Sequence, residues 1–201
     1  MGLEIECKLA VESRSLLDRI LCDTSLSLLT AAPWREKRMR TTYFDTTEQF
    51  FRTLHWTLRL RKENDRQLIC LKTPQKAQYT CSEWQAEVQA FDEAALRHLV
   101  ELGAPQELLQ YTLQTKLLPV CGAEFLRRCV MLRLSDGSMA ELAGDDGVLF
   151  GATQRLAFTE LELELYDGKP DEMLALAQVL CEQYGLTERT ESKFMRAKQL
   201  R

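Results

Sequence analysis

The first residues of the chain alternate strictly between charged and apolar side chains. Glu4, Glu6 and Lys8 are separated by single apolar residues. Successive side chains of a β-strand point to opposite faces, so these three charged groups share one face. The segment therefore predicts a strand with a charged side and an apolar side, and the fold must cover the apolar side while giving the charged side a partner.

Two later segments repeat this alternation, one with cations and one with carboxylates on the charged face. One carries the cations Arg59 and Arg61, and the other carries the carboxylates Glu160, Glu162 and Glu164. Taken singly, each row is typical of a solvated sheet face. Three like charges on one strand face repel each other and favour a counter-ion. Together the rows favour a buried ionic site, because a sheet with acidic and basic rows on one face suits a metal ion held against a polyanion.

Composition limits the class of protein. The chain has 201 residues, of which 45% are hydrophobic, so we expect a single domain over residues 1–201. Its net charge of -4 argues against general nucleic-acid binding. Seven cysteines without a CxxC pair, no signal peptide and no apolar run of membrane length predict a soluble cytoplasmic protein with reduced thiols and no membrane partner. With only two histidines, a His-based metal site is not favoured.

The remaining pattern predicts about eight strands and at least three helices. After the first strand, strands are expected at residues 38–46, 56–62, 67–73, 80–90, 125–134, 139–150 and 154–166. One helix should start at Ser13 or Ser15, one should be capped by Asp92, and one should start at Pro170 and end before Gly185. Residues 105–118 are ambiguous between helix and strand.

Eight strands can close into a barrel that holds side chains or one small ligand. We therefore predict an α+β fold, an eight-stranded antiparallel β-barrel with helices packed on its outside. The helices would cover the apolar strand faces, which turns the charged faces inward. Unpaired buried charge costs several kcal/mol per ion. A divalent cation bound by carboxylates, together with a phosphate chain bound by Arg and Lys, would supply the missing partners.

The order of these motifs resembles the CYTH group, the triphosphate tunnel metalloenzymes. The resemblance covers almost the whole chain and begins with the ExExK pattern of residues 4–8. An ExExK pattern alone is weak, but here it stands at the N-terminus and the other motifs follow in order. The matching segments are residues 42–46, 58–61, 71–72, 145–147, 160–164 and 192–193.

The resemblance implies a tunnel in which triphosphate binds together with Mg²⁺ or Mn²⁺. It implies metal ligands at Glu4, Glu6, Glu160 and Glu162, with Asp145 and Glu164 as helpers. It implies phosphate-binding cations at Lys8, Arg59, Arg61, Lys72, Arg127 and Lys193, although Arg128 is an alternative to Arg127. One departure concerns the fifth strand, where the family often has Arg-x-Glu and this chain has Cys81-Ser82-Glu83; Lys76 is a possible replacement for the missing cation.

The function that this resemblance implies is metal-dependent hydrolysis of inorganic triphosphate to pyrophosphate and phosphate. Lys8 would act on the phosphates, and Glu83 or Glu87 would help to take the proton of the attacking water. Three alternatives remain open: a class IV-type adenylyl cyclase, a thiamine triphosphatase, and a non-catalytic polyphosphate or nucleotide-binding module. The sequence leaves a monomer and a homodimer equally open.

Overall fold

Eight strands close into a barrel in which every neighbouring pair is antiparallel. The computed structural model describes residues 2–200, and residues 1 and 201 of the expected domain lie outside that part. The order around the barrel is β5–β4–β3–β2–β6–β7–β8–β1, and β1 pairs with β5 to close the ring. The predicted eight-stranded antiparallel barrel is confirmed. The strands are β1 (Gly2–Ala10), β2 (Arg35–Thr46), β3 (Thr57–Glu63), β4 (Arg66–Pro74), β5 (Thr80–Glu87), β6 (Leu117–Arg133), β7 (Met139–Phe150), β8 (Arg155–Asp167) and the short β9 (Thr187–Glu188), which pairs with the end of β1.

Seven helices lie between the strands or after them. Ser13 caps the first one by accepting a hydrogen bond from Leu16 N, and Asp92 caps another by accepting from Ala95 N. Pro170 opens the longest helix, which ends just before Gly185, whose φ is 66°. None of the helices in residues 2–200 has the length and apolar character needed to cross a bilayer. The helices are α1 (Arg14–Leu21), α2 (Thr24–Leu29), α3 (Phe50–Thr53), α4 (Glu93–Glu101), α5 (Glu107–Thr112), α6 (Pro170–Tyr184) and α7 (Lys193–Gln199).

Two hydrophobic clusters lie on the outside of the barrel. In the first, Leu161 and Leu163 of β8 pack with residues of α1 and α6, such as Ile20 and Leu180. In the second, α3, α4 and α5 cover the outer faces of β3, β4 and β5. Because side chains alternate along each strand, covering the apolar faces from outside turns the charged faces inward. The barrel therefore has its charged strand faces inside and its apolar strand faces outside, as expected from the sequence.

The last helix lies inside the barrel. Phe194 and Ala197 of α7 pack against Met39, Phe125 and Phe158, which lie on the inner faces of β2, β6 and β8. Each of these strand residues stands two positions from an inward-facing charged residue, so its side chain has the same direction. The helix therefore fills part of the barrel interior and leaves the remainder as a cavity.

Three strand boundaries differ from the sequence prediction by three residues or more. Strand β5 ends at Glu87 and not at residue 90. Strand β2 begins at Arg35 and not at residue 38, and β6 begins at Leu117 and not at residue 125. Pro119 and Gly122 made the first part of β6 resemble a loop. Pro119 lies beside an irregularity in the β2–β6 register, where a missing N–H is tolerated. A Cβ at Gly122 would come within 2.5 Å of Thr41 O, so the glycine allows close approach of two strands.

Candidate active site

The barrel encloses a cavity of about 340 Å³ whose wall is mainly charged. Eleven of the predicted site residues line it, and three, Glu87, Asp145 and Glu160, do not. The alternation of side chains along each strand explains why the prediction succeeded. In each of β1, β3, β4 and β8, the residues that line the cavity are separated by even numbers of positions and so share the inner face. The predicted residues that line the cavity are Glu4, Glu6, Lys8, Arg59, Arg61, Lys72, Glu83, Arg127, Glu162, Glu164 and Lys193.

One set of charges gathers around β1, and we call it the β1 group. Its carboxylates are Glu4, Glu6, Glu83 and Glu164, and its cations are Lys8, Lys72 and Arg59. Lys72 lies at its centre: its Nζ is 2.5 Å from the carboxylate of Glu4, 4.0 Å from that of Glu6 and 3.9 Å from that of Glu83. Lys8 donates a hydrogen bond to Glu6, and Arg59 Nη2 lies 3.0 Å from Glu83 Oε1. Three cations thus face four carboxylates.

The carboxylates of the β1 group differ in how easily they ionise. Burial raises the pKa of Glu4, and Lys72 only partly offsets that effect. Burial also acts to raise the pKa of Glu6, but Lys72 and Lys8 outweigh it, and the pKa is lowered. For Glu83, Lys72 and Arg59 outweigh burial and lower the pKa to about 2. Glu6 and Glu83 are therefore firmly charged, whereas the protein resists charge on Glu4.

Glu164 is the carboxylate of the β1 group that has the fewest stabilising contacts. It stands opposite Glu6 of β1 and Glu141 of β7 in the strand registers, and it faces the cavity. Within residues 2–200, no group donates a hydrogen bond to it or forms an ion pair with it. Burial and the charge of Glu4 raise its pKa to about 7. A bound cation would remove this repulsion.

A second set of charges surrounds the last helix, and we call it the α7 group. It consists of Arg127, Asp145, Glu160, Glu162, Lys193 and Arg196. Arg127 forms a two-point contact with Asp145, with Nε 2.8 Å from Oδ1 and Nη2 2.7 Å from Oδ2. Lys193 Nζ lies 2.7 Å from Asp145 Oδ2 and 2.8 Å from Glu162 Oε1. Both Lys193 and Arg196 donate to Glu160. Three carboxylates thus meet three cations.

The two groups offer different surroundings to a metal ion. Oxygens of Asp145, Glu160 and Glu162 lie within 4.8 Å of one another, close enough to share one ion. The same carboxylates already bind the three cations of the α7 group, and Asp145 and Glu160 have no exposed surface. The β1 group has a surplus carboxylate. On charge balance, the carboxylate oxygens of Glu4, Glu6 and Glu164, with Glu162 beside them, fit a hard divalent cation better.

Two arginines of β3 present unused donors. The Nε atoms of Arg59 and Arg61 are buried, and no group among the described residues accepts a hydrogen bond from either. Arg59 is only 8% exposed and lines the cavity. Buried donors normally have partners. The pair therefore indicates that this wall is built for an anion with several oxygens, such as a phosphate chain.

The structure separates residues that the sequence left as alternatives. Arg127 faces the cavity, while Arg128 points outward and its Nη2 lies 2.6 Å from Asp18 Oδ1 of α1. Glu87 stands at the rim of the barrel, where Arg66 holds it at 2.9 Å, and half of its side chain is exposed. It does not line the cavity.

The fifth strand keeps its departure from the family pattern. Cys81 Sγ donates to Glu4 Oε2 at 3.0 Å, so a thiol stands where the family often has a cation. Burial raises the pKa of this thiol. Lys76, the proposed replacement, is exposed in the connection between β4 and β5 and is not among the lining residues.

Several lining residues were not predicted. Lys37 and Tyr43 share the inward face of β2, and Arg66, Gln85 and Glu63 line the wall near the ends of their strands. The signal for Lys37 was present: it stands six residues before Tyr43, in the same phase. It was missed because the predicted strand began at residue 38. Arg196 of the α7 group had no role in the prediction.

Comparisons with known proteins agree with this architecture. The structure of HpAC1 from Hippeastrum, a candidate adenylyl cyclase described as having a dominant triphosphatase activity, is similar with a TM-score of 0.63 and 17% identity, covering 99% of this chain and 96% of that one. PH1819 from Pyrococcus horikoshii OT3 has a TM-score of 0.61 and 14% identity, covering 98% of each chain. A candidate adenylate cyclase from Bacillus halodurans has a TM-score of 0.56 and 18% identity, covering 98% of each chain. At these identities the likeness shows the fold alone.

Sequence comparison identifies the family. No protein with a curated description matches this chain. The family model described as the CYTH domain matches residues 2–197, which is nearly the entire chain. The ordered motifs, the closed antiparallel barrel and its charged interior agree with that match. The chain therefore belongs to the CYTH domain family.

Proposed function

We propose that this chain is a divalent-metal-dependent hydrolase that cleaves inorganic triphosphate to pyrophosphate and phosphate inside the barrel. The observation that carries the proposal is the pairing of unused arginine donors with a surplus of carboxylate in one cavity. Among the residues that the structure describes, none accepts a hydrogen bond from the buried Nε of Arg59 or Arg61, and none forms an ion pair with Glu164, which faces the same space. A metal complex of a phosphate chain supplies both missing partners.

The cations would hold and align the phosphates. Six predicted cations line one cavity and come from four strands and α7, so they would surround a bound chain. Cleavage of a phosphoanhydride bond spreads negative charge over the transferring phosphoryl group and the leaving group, and fixed cations stabilise that charge. The residues proposed for this role are Lys8, Arg59, Arg61, Lys72, Arg127 and Lys193.

The carboxylates would hold Mg²⁺ or Mn²⁺. We place the metal ligands at Glu4, Glu6, Glu162 and Glu164, which line the cavity. For Asp145 and Glu160 a direct metal role stays a prediction, because neither lines the cavity and the cations of the α7 group already occupy their oxygens. A bound divalent cation would withdraw charge from phosphate oxygens and lower the pKa of a water that it binds.

Glu83 is the proposed partner of the attacking water. It lines the cavity between Lys72 and Arg59. A carboxylate whose pKa is about 2 orients a water by accepting its hydrogen bond and is a weak acceptor for its proton. Glu87, the other predicted candidate, is held at the rim by Arg66. Lys8, beside Glu6 on the neighbouring strand β1, would contact the phosphates.

The names of similar structures support the reaction class and keep one alternative in view. HpAC1 is described by a dominant triphosphatase activity, and both it and the Bacillus halodurans protein carry a cyclase name. A cyclase would use the ribose hydroxyl of ATP as nucleophile in place of water. We place the protein in the cytoplasm, because its seven cysteines are free and suit a reducing compartment.

The test is phosphate release by the purified full chain from inorganic triphosphate, ATP and thiamine triphosphate in parallel. Each substrate is supplied with Mg²⁺, Mn²⁺ or EDTA, and cyclic AMP is measured in the ATP samples. We expect release from inorganic triphosphate that EDTA abolishes. Cyclic AMP formation, faster release from thiamine triphosphate, or binding of triphosphate without turnover would each replace the proposal by the corresponding alternative.

A matched pair of arginine variants tests the location. Arg59→Met removes a cation from the cavity wall, whereas Arg40→Met removes an exposed one from the outer face of β2, where Glu124 is its partner at 3.1 Å. We expect Arg59→Met alone to raise the KM for triphosphate, by about tenfold for one charged hydrogen bond. Equal effects of the two variants would contradict a site inside the barrel.

A further inference from the structure

The motif at the end of β2 contains an aspartate that the proposed reaction does not use. Asp45 has no exposed surface. Its Oδ1 accepts hydrogen bonds from Thr46 N and Phe51 N, both at 2.9 Å, and its Oδ2 accepts one from Arg52 N at 3.3 Å. These donors belong to the last residue of β2 and to α3, so backbone groups hold the carboxylate in one orientation.

A lysine of the last helix completes the shell of Asp45. Lys198 Nζ lies 3.2 Å from Asp45 Oδ2, and it lies 5.3 Å from the centre of the Phe194 ring on its own helix. A cation in the last turn also interacts favourably with the helix dipole. The buried carboxylate, fixed by β2 and α3, therefore holds the C-terminal end of α7.

The other end of the same helix supplies a cation to the cavity. Lys193 is the first residue of α7 and lines the cavity, five residues from Lys198, which is about 7.5 Å along a helix axis. The remaining ion pairs of α7, made by Lys193 and Arg196, all go to carboxylates of the α7 group. A phosphate chain that attracts Lys193 competes with those pairs. Among the ion pairs that α7 forms within residues 2–200, only the pair between Lys198 and Asp45 involves no group that would compete with the phosphates.

We propose that Asp45, acting through Lys198 and α7, is a positioning residue that keeps Lys193 aimed into the cavity when phosphates bind. This inference rests on the proposed function, because it assigns Lys193 to the substrate. Asp45 itself does not line the cavity, and its effect on the substrate passes through the helix.

A double-mutant cycle separates positioning from general stabilisation. We expect Lys198→Met to weaken binding of inorganic triphosphate about tenfold and Lys193→Met to weaken it at least as much, measured by calorimetry with Mn²⁺. If Lys198 acts through Lys193, the double variant binds no more weakly than Lys193→Met alone. Losses that add in the double variant would overturn the proposal.

Two controls accompany the cycle. Lys198→Arg keeps the charge and should restore most of the affinity. Lys169→Met removes an exposed lysine just before α6 and should leave the affinity unchanged. If Lys198→Met does not fold, Asp45→Asn replaces it in the cycle, since the amide oxygen can still accept from Phe51 N. Failure of Lys198→Arg to restore binding would count against an ion pair.

Amide hydrogen exchange of the α7 peptide, measured without substrate, tests the anchor independently. We expect exchange in residues 194–199 to be about tenfold faster in Lys198→Met than in the unmodified chain, and unchanged exchange would overturn the proposal. If the unmodified chain binds no triphosphate, the proposed function fails, and hydrogen exchange still decides whether Lys198 holds the helix.

Discussion

The two charged groups of the barrel use the same residue types but differ in balance. In the α7 group three carboxylates meet three cations, and each carboxylate has an ion-pair partner. In the β1 group four carboxylates meet three cations. Within the described residues, Glu164 has no partner, and its pKa is raised to about 7 by burial and by Glu4.

This difference indicates separate roles. Buried charges are costly unless they are paired, so a complete group can support the fold without a ligand. An incomplete group facing a cavity costs free energy until a ligand completes it. We therefore regard the α7 group chiefly as the support that holds the last helix in the barrel, although its Arg127, Glu162 and Lys193 also line the cavity. The β1 group would supply most of the metal ligands.

The largest expected effect is on folding and concerns Glu160. Its removal by Glu160→Ala leaves Lys193 and Arg196 short of a buried partner, and we expect the free energy of unfolding to fall by about 3–5 kcal/mol. Urea unfolding without metal measures it. The matched variant is Glu4→Gln in the β1 group, which should change stability by less than about 1 kcal/mol, because burial raises the pKa of Glu4 despite Lys72. A larger loss in Glu4→Gln would reverse the assignment of roles.

The next effect is on catalysis. Glu4→Gln should lower metal-dependent phosphate release by about 100-fold or more while the protein stays folded, because the metal contributes several kcal/mol to transition-state stabilisation. Mn²⁺ titration by calorimetry checks the cause directly. Asp145→Asn, if it folds, should retain Mn²⁺ binding. Normal turnover in Glu4→Gln would refute the metal site, and loss of Mn²⁺ binding only in Asp145→Asn would move the metal to the α7 group.

The sequence predicted which side chains share a strand face better than it predicted which ion pairs those side chains form. The period of two placed Glu160, Glu162 and Glu164 on one face, and the structure agrees. It could not tell that Glu164 lies opposite Glu6 while Glu160 meets Lys193 and Arg196, because those neighbours depend on long-range register and on a helix entering the barrel. The contact between Asp45 and Lys198 spans 153 residues and has no local signal.

Errors at strand ends had a similar origin. Lys37 was missed because β2 begins three residues before the predicted start. The first part of β6 was missed because Pro119 and Gly122 are typical of turns. In the barrel these residues are tolerated by an irregular register and by close approach to a neighbouring strand, and both depend on tertiary contacts.

A smaller effect concerns the pH dependence of stability in metal-free protein. Burial and the charge of Glu4 raise the pKa of Glu164 in the folded state to about 7, above the ordinary value of 4.5, so the folded state keeps a proton that the unfolded chain releases. The stability from this group is present below about pH 4.5 and is lost as the pH rises to 7. We expect Glu164→Gln to gain on the order of 2 kcal/mol relative to the unmodified chain between pH 4.5 and pH 8. Urea unfolding in EDTA at both pH values measures this, and a constant difference would contradict it.

The smallest expected effect is on kcat, and it concerns Glu87 at the rim in comparison with Glu83 on the cavity wall. Glu87 is paired with Arg66, and both side chains are at least half exposed, so solvent screens the pair and it contributes little. Glu87→Gln should therefore change kcat less than about fivefold. Glu83→Gln should lower kcat more, by at least about tenfold, because Glu83 faces the cavity beside Lys72 and Arg59. Steady-state phosphate release at saturating triphosphate measures both. If Glu87→Gln proves the more damaging, the reacting water is at the rim, and the surplus charge of the β1 group then serves binding and not the chemical step.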